Sequence, residues 1–275
     1  MRIGGQARYY AELATKDDVE AAWAFAQTHE VPMITLGGGS NTIFADGVID
    51  ALIIRIKHEA MTIDGNSVRV GSGKNLPMLV NDLAKKNLDL SPLTGILGTV
   101  GGAIFGNAGQ GPAGIWIDTY VREVLVFEEN EWRTMTKEDC DFGYRESIFK
   151  HGPEARPVIW EVVLDIPSRP MTEVEDTIQT LLKRRIETQP HVKTAGSCFK
   201  AVGDTPAWKL IDASGLRGYS VGDVQIAEKH ANFLLNTGKA TFEDAVTLVK
   251  NVQKAVSEPL DVEMRFIGND GSLLF

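Results

Sequence analysis

Two glycine-rich stretches and a few isolated polar residues carry the chemistry this sequence offers. Gly37-Gly38-Gly39-Ser40-Asn41 follows the apolar run Val31 to Leu36. A tight turn of this kind can aim successive backbone N–H groups into one concavity and hold phosphate without a charged side chain. It can equally be a plain turn. Its spacing matches neither G-x-G-x-x-G nor a P-loop, which disfavours Rossmann and Walker sites. The second stretch, Gly98-Thr99-Val100-Gly101-Gly102-Ala103, continues to Asn107-Ala108-Gly109. Glycine weakens helices and strands, so this density asks for a backbone reason. One reading is a surface loop. The other, favoured by the interleaved Ile96, Leu97, Val100, Ile104 and Phe105, is a buried main chain packed against a large flat ligand.

Among the polar residues, Arg145 offers a planar fork suited to bidentate carboxylate binding, or a surface ion pair with Glu146 or another acid. Ser197 stands beside Cys198, after Gly196. In an extended chain neighbouring side chains point to opposite faces, so only one of the two can face a substrate. A serine hydroxyl is a poor acid and needs to be held in place to donate a proton; otherwise Ser197 is a turn residue. In Val262-Glu263-Met264-Arg265-Phe266 a strand puts Val262, Met264 and Phe266 on one face, with Glu263 and Arg265 on the other. That second face is either a solvated charged edge or a site.

The elements that must position these residues read as follows. Thr15 to Thr28 is a predicted helix with a Thr15/Asp18 capping box. Val31–Leu36 and Val48–Ile56 are predicted strands, and Met61–Val70 a hairpin turning on Asp64-Gly65-Asn66. Leu76–Lys86 is a short helix with Pro77 in its first turn. Strands follow at Val121–Phe127 and Pro157–Ile166. Met171–Thr188 is an amphipathic helix with a Thr172/Glu175 capping box and a stripe of Val174, Ile178, Leu181, Leu182 and Ile186. Thr205-Pro206 opens a helix that Gly215 ends. Val224–Leu235 mixes loop and strand. A helix spans Thr241–Val256, with Thr241/Asp244 as its box, and Val262–Ile267 is a closing strand. The linker Pro167-Ser168-Arg169-Pro170 divides the chain into residues 1–168 and 169–275, and the class is α+β.

The chain of 275 residues, 43% hydrophobic and 24% charged, has the composition of a globular protein. Its net charge of −9 argues against nucleic acid as a partner. Two cysteines, Cys140 and Cys198, make no disulfide framework and fit a reducing, cytoplasmic setting. The N-terminus shows no signal-peptide pattern. No apolar run reaches the roughly 18 residues of a membrane span. The five histidines show no metal-ligand spacing, so no metal is expected.

Several segments, in order along nearly the whole chain, resemble the UDP-N-acetylenolpyruvoylglucosamine reductase (MurB) family. They are Gly4-Gly5-Gln6-Ala7-Arg8-Tyr9-Tyr10, the two glycine stretches, Phe142-Gly143-Tyr144-Arg145-Glu146-Ser147, and Ala195-Gly196-Ser197-Cys198-Phe199-Lys200. Ala207-Trp208-Lys209-Leu210-Ile211, Glu228-Lys229-His230-Ala231-Asn232-Phe233 and Glu263-Met264-Arg265-Phe266-Ile267-Gly268 complete the series. The resemblance implies a FAD-binding domain of the vanillyl-alcohol-oxidase (PCMH) type, made of two α+β subdomains, over residues 1–168. It also implies a C-terminal α+β substrate-binding domain over 169–275. The chain is similar to the shorter, second type, which lacks an inserted tyrosine-bearing loop. Two departures stand out: Ala201-Val202 where the family usually has Asn-Pro, and Gln110-Gly111-Pro112 in a run that usually carries a tyrosine.

The implied reaction is reduction of UDP-N-acetylglucosamine enolpyruvate to UDP-N-acetylmuramate by NADPH through bound FAD, in peptidoglycan synthesis. The resemblance makes Ser197 the proton donor, Arg145 the stabiliser of the enolic carboxylate, and Glu263 an acid or polariser acting with Arg145. It places Gly37, Gly38, Gly39, Ser40, Asn41, Gly98, Thr99, Gly101, Gly102, Ala103, Asn107 and Gly109 at the cofactor. Tyr144, Lys200, Lys229, His230 and Asn232 fall at the substrate. A monomer in the cytoplasm is expected. The competing readings are another flavin oxidoreductase of the same fold, acting on an alcohol or sugar, and a FAD- or nucleotide-binding protein without catalysis.

Overall fold

The computed structural model describes residues 1–109, 114–151, 157–191 and 193–275; the Gln110-Gly111-Pro112 departure lies outside them. In chain order the elements begin β1 (Gln6–Leu13), α1 (Lys16–Thr28), β2 (Met33–Thr35), β3 (Thr42–Phe44), β4 (Val48–Ile56), β5 (Met61–Asp64) and β6 (Ser67–Gly71). They continue with α2 (Leu76–Ala84), α3 (Val100–Phe105), β7 (Val121–Glu128), β8 (Glu131–Thr136), β9 (Val158–Asp165) and α4 (Met171–Thr188). The last are β10 (Thr194–Ser197), α5 (Ala207–Ala213), β11 (Ser220–Val221), β12 (Val224–Ile226), β13 (Phe233–Asn236), α6 (Phe242–Ala255) and β14 (Arg265–Ile267).

These form two compact units. The larger holds Tyr9–Gly38 and Leu52–Lys183; the smaller holds Met1–Arg8, Gly39–Ala51 and Arg184–Phe275. Each is discontinuous in sequence, so no single cut in the chain reproduces them. Gly39–Ala51 groups with the C-terminal residues because β3 pairs in parallel with β14, Thr42 opposite Arg265. Met1–Arg8 joins them through the bonds of Gly5 N–H to Ala45 O and Asn236 Nδ2 to Met1 O.

The larger unit is built on a five-stranded sheet ordered β5-β6-β9-β7-β8, antiparallel throughout. A register shift at Trp160, between Ile159 and Glu161, lets β9 bury side chains on both faces of the sheet. Ile159, Val162 and Leu164 join Leu79, Leu83, Val100 and Ile104 of α2 and α3 in one core. Val158 and Trp160 join Val19, Ala22 and Ala26 of α1 in the other. Fully burying each large side chain contributes about 1.5–3 kcal/mol. Helix α1 starts where its capping box directs: Asp18 N–H donates to Thr15 Oγ1, and Asp18 Oδ2 accepts from Thr15 N–H. The expected hairpin forms as β5–β6 around Gly65, whose φ is +57°.

Two readings need correction here. Helix α4 begins at Met171, which puts Thr172 inside the helix rather than at its cap. The Asn87 side chain caps Met171 N–H instead, at 2.9 Å, and Pro170 supplies the carbonyl for Glu173 and Val174. The glycine stretch after Gly98 contains a helix, α3, that its composition hid. Thr99 caps it by accepting from Gly102 N–H at 3.2 Å.

The smaller unit carries an antiparallel sheet ordered β10-β13-β12-β11. Ala195, Cys198, Val224, Ile226 and Leu234 pack against Ala245, Leu248, Val249 and Val252 of α6 and Ile211 of α5. Ile43 of β3 and Phe266 of β14 close the same core. No helix of the described residues is long and apolar enough to cross a membrane.

Candidate active site

In the larger unit Gly37 and Gly38, the start of the first glycine stretch, meet the second. A Cβ built on Gly37 would lie 2.7 Å from Thr99 Oγ1, and one on Gly38 would lie 2.8 Å from Gly98 Cα. Gly101 donates its N–H to Ser72 O at 2.8 Å, and a Cβ there would sit 2.9 Å from Ser72 Cβ. A Cβ at any of these three glycines would force a neighbour to move, main chain at Gly38 and a side chain at Gly37 and Gly101. Much of the glycine density therefore has a cause inside the protein. Gly39 differs. Its φ is +66°, and a Cβ would meet nothing within 4 Å. Gly102 is also uncrowded, with Thr99 Oγ1 3.5 Å from its Cβ position. Ala103 is buried in the core. The result is a strip of main chain almost bare of side chains, which fits a flat ring or a diphosphate lying against it.

Asn107 and Gly109, expected at the cofactor, reach toward Arg145. Asn107 is buried with φ +39°. Its Nδ2 donates to Gly143 O at 2.9 Å, while its Oδ1 accepts from Asp118 N–H at 3.3 Å. Gly109 O accepts from Arg145 Nη2 at 3.0 Å. Ser147 Oγ donates to Phe105 O at 2.7 Å. Residues 105–109 and 143–147 are thus one knitted assembly. Within it Gly143 and Glu146 exchange reciprocal N–H···O bonds of 3.0 and 3.1 Å, closing a two-residue turn with Tyr144-Arg145 at its tip. Arg145 has φ +57°. That left-handed conformation costs a non-glycine residue about 1–2 kcal/mol. Lys150 Nζ donates to the Arg145 carbonyl. Glu146 pairs with His151 at 2.9 Å and Lys150 at 3.9 Å. Tyr144 is exposed and meets Trp116 edge-on, with ring centroids 5.9 Å apart.

In the smaller unit Ser197 ends β10, paired with Phe233 of β13. The next residues form a rail between two neighbours. On one side Cys198 N–H donates to Asn232 O at 2.8 Å. Phe199 N–H donates to Asn232 Oδ1 at 2.9 Å, and Asn232 Nδ2 donates to Phe199 O at 2.8 Å. On the other side Glu263 N–H and Met264 N–H both reach Cys198 O, at 2.8 and 3.3 Å, and Lys200 N–H reaches Asp261 O at 2.9 Å. Ser197 and Glu263 thereby hang from one short segment. Asn41 adds a brace: its Nδ2 donates to Glu263 O at 3.2 Å, and its carbonyl accepts from Arg265 N–H at 3.0 Å.

The expected parity holds in part: the closing strand is regular only from Arg265, and Val262 is half-buried rather than in the core. Cys198, Met264 and Phe266 are buried, whereas Ser197, Glu263 and Arg265 are half-buried. Burial, and then the charge of Glu263, push the Cys198 thiol far above its ordinary range, so it is no nucleophile.

The residues expected at the substrate divide. Tyr144 and Lys200 lie beside Arg145 and Phe199 in sequence. Lys229 Nζ donates to Ile186 O at 2.6 Å, in the last turn of α4, where a cation suits the helix end. His230 Nδ1 accepts from Asn232 N–H at 3.3 Å. Burial, and then Arg217, hold its pKa below the ordinary value, which favours a neutral ring. Asn232 turns its whole amide to Phe199 rather than outward. Spacing could not reveal the contacts of Asn41, Asn107 and Asn232. Their partners are far away in sequence, and a buried amide leaves no periodic signal.

Comparison with known proteins follows this geometry. Residues 189–266 match the family described as UDP-N-acetylenolpyruvoylglucosamine reductase, C-terminal domain, and residues 7–130 match an FAD binding domain. A UDP-N-acetylenolpyruvoylglucosamine reductase of Clostridium perfringens is 34% identical over 98% of this chain and 90% of its own length. One from Synechococcus elongatus is 33% identical over 96% and 88%. The crystal structure of the enzyme from Thermus caldophilus superposes with a TM-score of 0.81 at 33% identity, covering 94% of this chain and 91% of that one. With the fold, the glycine strip and this near-complete coverage in agreement, the chain belongs to the UDP-N-acetylenolpyruvoylglucosamine reductase family.

Proposed function

We propose that this chain reduces UDP-N-acetylglucosamine enolpyruvate to UDP-N-acetylmuramate with NADPH, using bound FAD, as a step in peptidoglycan precursor synthesis. Family membership supplies the reaction. The observation that supports the site within it is the rail at Cys198–Phe199, from which both Ser197 and Glu263 are suspended. The meeting of Gly37–Gly38 with Gly98–Thr99 supports the cofactor assignment, with the bare main chain at Gly39 beside it.

Reducing an enolpyruvyl ether requires a hydride at the terminal carbon, charge stabilisation on the adjacent carbon and its carboxylate, and a proton at that adjacent carbon. FAD reduced by NADPH supplies the hydride. Arg145 accepts the growing charge of the carboxylate through its guanidinium fork. Glu263 polarises the same group. Ser197 delivers its Oγ proton to the adjacent carbon. As a weak acid it depends on being fixed, and a general acid so placed contributes about 10²–10⁴ in rate. Tyr144, Lys200 and His230 approach the substrate's polar groups in this reading, and Lys229 steadies the segment that carries His230.

The functional division into residues 1–168 and 169–275 is supported by where the two family matches fall. A cytoplasmic setting is supported by two cysteines that are both free and buried; we infer a monomer there.

The test has two steps. NADPH should bleach the yellow protein, and the enolpyruvyl substrate should restore the colour. Ser197→Ala should still bleach while its return slows by about 10²–10⁴. A protein that cannot be loaded with FAD overturns the reading; a Ser197→Ala variant that recovers at the wild-type rate removes Ser197 from its role.

A further inference from the structure

Beyond Ser197 the β10–β13 ladder loses its partner strand. Phe233 N–H turns back to His230 O at 3.0 Å, and Asn232 N–H goes to His230 Nδ1. The main chain has bent away, yet the pairing continues for one more rung. The Asn232 side-chain amide, 7% exposed, takes the place of a peptide group. It accepts from Phe199 N–H and donates to Phe199 O, at 2.9 and 2.8 Å. The asparagine's own carbonyl holds Cys198 N–H. Cys198 O, on the other edge of the same segment, receives the N–H groups of Glu263 and Met264. Asn232 therefore holds one whole edge of the segment that follows Ser197, while Glu263 and Met264 bond the other.

We propose that Asn232 is a positioning residue for proton delivery by Ser197, acting through the Phe199 peptide rather than by touching the substrate. The inference rests on the reading of Ser197 as proton donor. Removing the amide frees the segment at the point where Ser197 leaves the ladder. A misplacement of about 1 Å costs on the order of 10²-fold in a positioned reaction. Hydride delivery to the flavin by NADPH does not use Ser197, so only the second half-reaction should suffer.

Stopped-flow absorbance of the FAD-loaded protein separates the two. Asn232→Ala should be reduced by NADPH within about twofold of wild type, and reoxidised by UDP-N-acetylglucosamine enolpyruvate about 10- to 100-fold more slowly. Its KM should be little changed. A raised KM with unchanged kcat would mean direct substrate binding and overturn the proposal. Loss of both half-reactions in proportion to unfolded protein would mean a merely structural role.

Asn232→Asp guards against a variant that does not fold. Its carboxylate still accepts from Phe199 N–H but sets a second oxygen against Phe199 O, and protonation restores a donor there. Its reoxidation rate, as a ratio to wild type, should rise as pH falls. His230 and Glu263 face this segment in both proteins, and the pH dependence common to both cancels in the ratio. A flat ratio overturns the proposal. So do variants that match wild type in reoxidation, leaving the reductase reading intact. Wild-type protein whose reduced flavin is not reoxidised by this substrate overturns both.

Discussion

Arg145 and Ser197 are held by opposite means. Arg145 stands at the tip of a two-residue turn in the larger unit, in a left-handed conformation, tied by side-chain bonds from Asn107 and Ser147 and by its own bond to Gly109 O. Ser197 stands at the end of a strand in the smaller unit, just past a bulge in which Gly196 takes φ +78°, and the ladder continues beyond it. The first arrangement stores strain and depends on a few separate bonds. The second gives its left-handed position to a glycine, Gly196, which adopts it without a steric cost, and its bonds support one another. The proposed charge stabiliser, aimed by a strained turn, is easily misaimed by one lost contact. The proposed acid, on a ladder, is displaced only when the rail itself moves.

The largest expected break is at the guanidinium. Arg145→Lys keeps the charge but loses the planar fork and the reach to Gly109 O. Reoxidation of the flavin by the enolpyruvyl substrate should slow by about 10²–10³, roughly 2.7–4 kcal/mol, the range for removing one oxyanion-type donor. Reduction by NADPH should be nearly unchanged. A lysine variant with more than a third of wild-type turnover would show that charge alone suffices and that the turn's aim is irrelevant.

A smaller break comes from the brace beneath that turn. Asn107→Ala removes a buried donor and acceptor at once and asks alanine to adopt φ +39°. The stability loss should be about 1–3 kcal/mol, seen as a fall of several degrees in Tm. The second half-reaction should also slow, because Gly143 O and Asp118 N–H both lose their partner. Unchanged Tm would mean that the 105–109 and 143–147 segments are not mutually dependent.

The same contrast explains how much could be read beforehand. Local rules placed α1 through the Thr15/Asp18 box and β4 at its full length, and put Gly65 at a hairpin turn, because each signal lies within a few residues. Alternation placed Cys198 in the core and left Ser197 half-buried. The strands β1, β3 and β8 and the helix α3 escaped notice. Glycine concealed α3, and β3 exists because it pairs with the distant β14. The start of α4 moved because Asn87, far back in the chain, supplies its cap. The family resemblance named Arg145, Ser197 and Glu263 and also Asn41, Asn107 and Asn232, but the bonds by which these asparagines hold the main chain were not legible. A side-chain amide bonded to a remote peptide follows no period.

The smallest effect is the most discriminating, since it reads the strain itself. At position 145 the left-handed turn favours glycine. Arg145→Gly should be more stable than Arg145→Ala by about 0.5–1 kcal/mol: relief of the roughly 1–2 kcal/mol left-handed penalty, less the entropy glycine adds to the unfolded chain. Both should have lost substrate reoxidation alike. At position 197 the order should reverse. The backbone there is extended, so Ser197→Ala should exceed Ser197→Gly by about 0.5–1 kcal/mol. Urea unfolding of the four variants measures the crossing directly. Alanine preferred at both positions would mean that the Tyr144-Arg145 turn relaxes without its arginine, so that the side chain's own bonds impose the conformation. Glycine preferred at 145 alone would mean that the flanking bonds of Gly143 and Glu146 impose it, and that the arginine is aimed by a turn that forms without it.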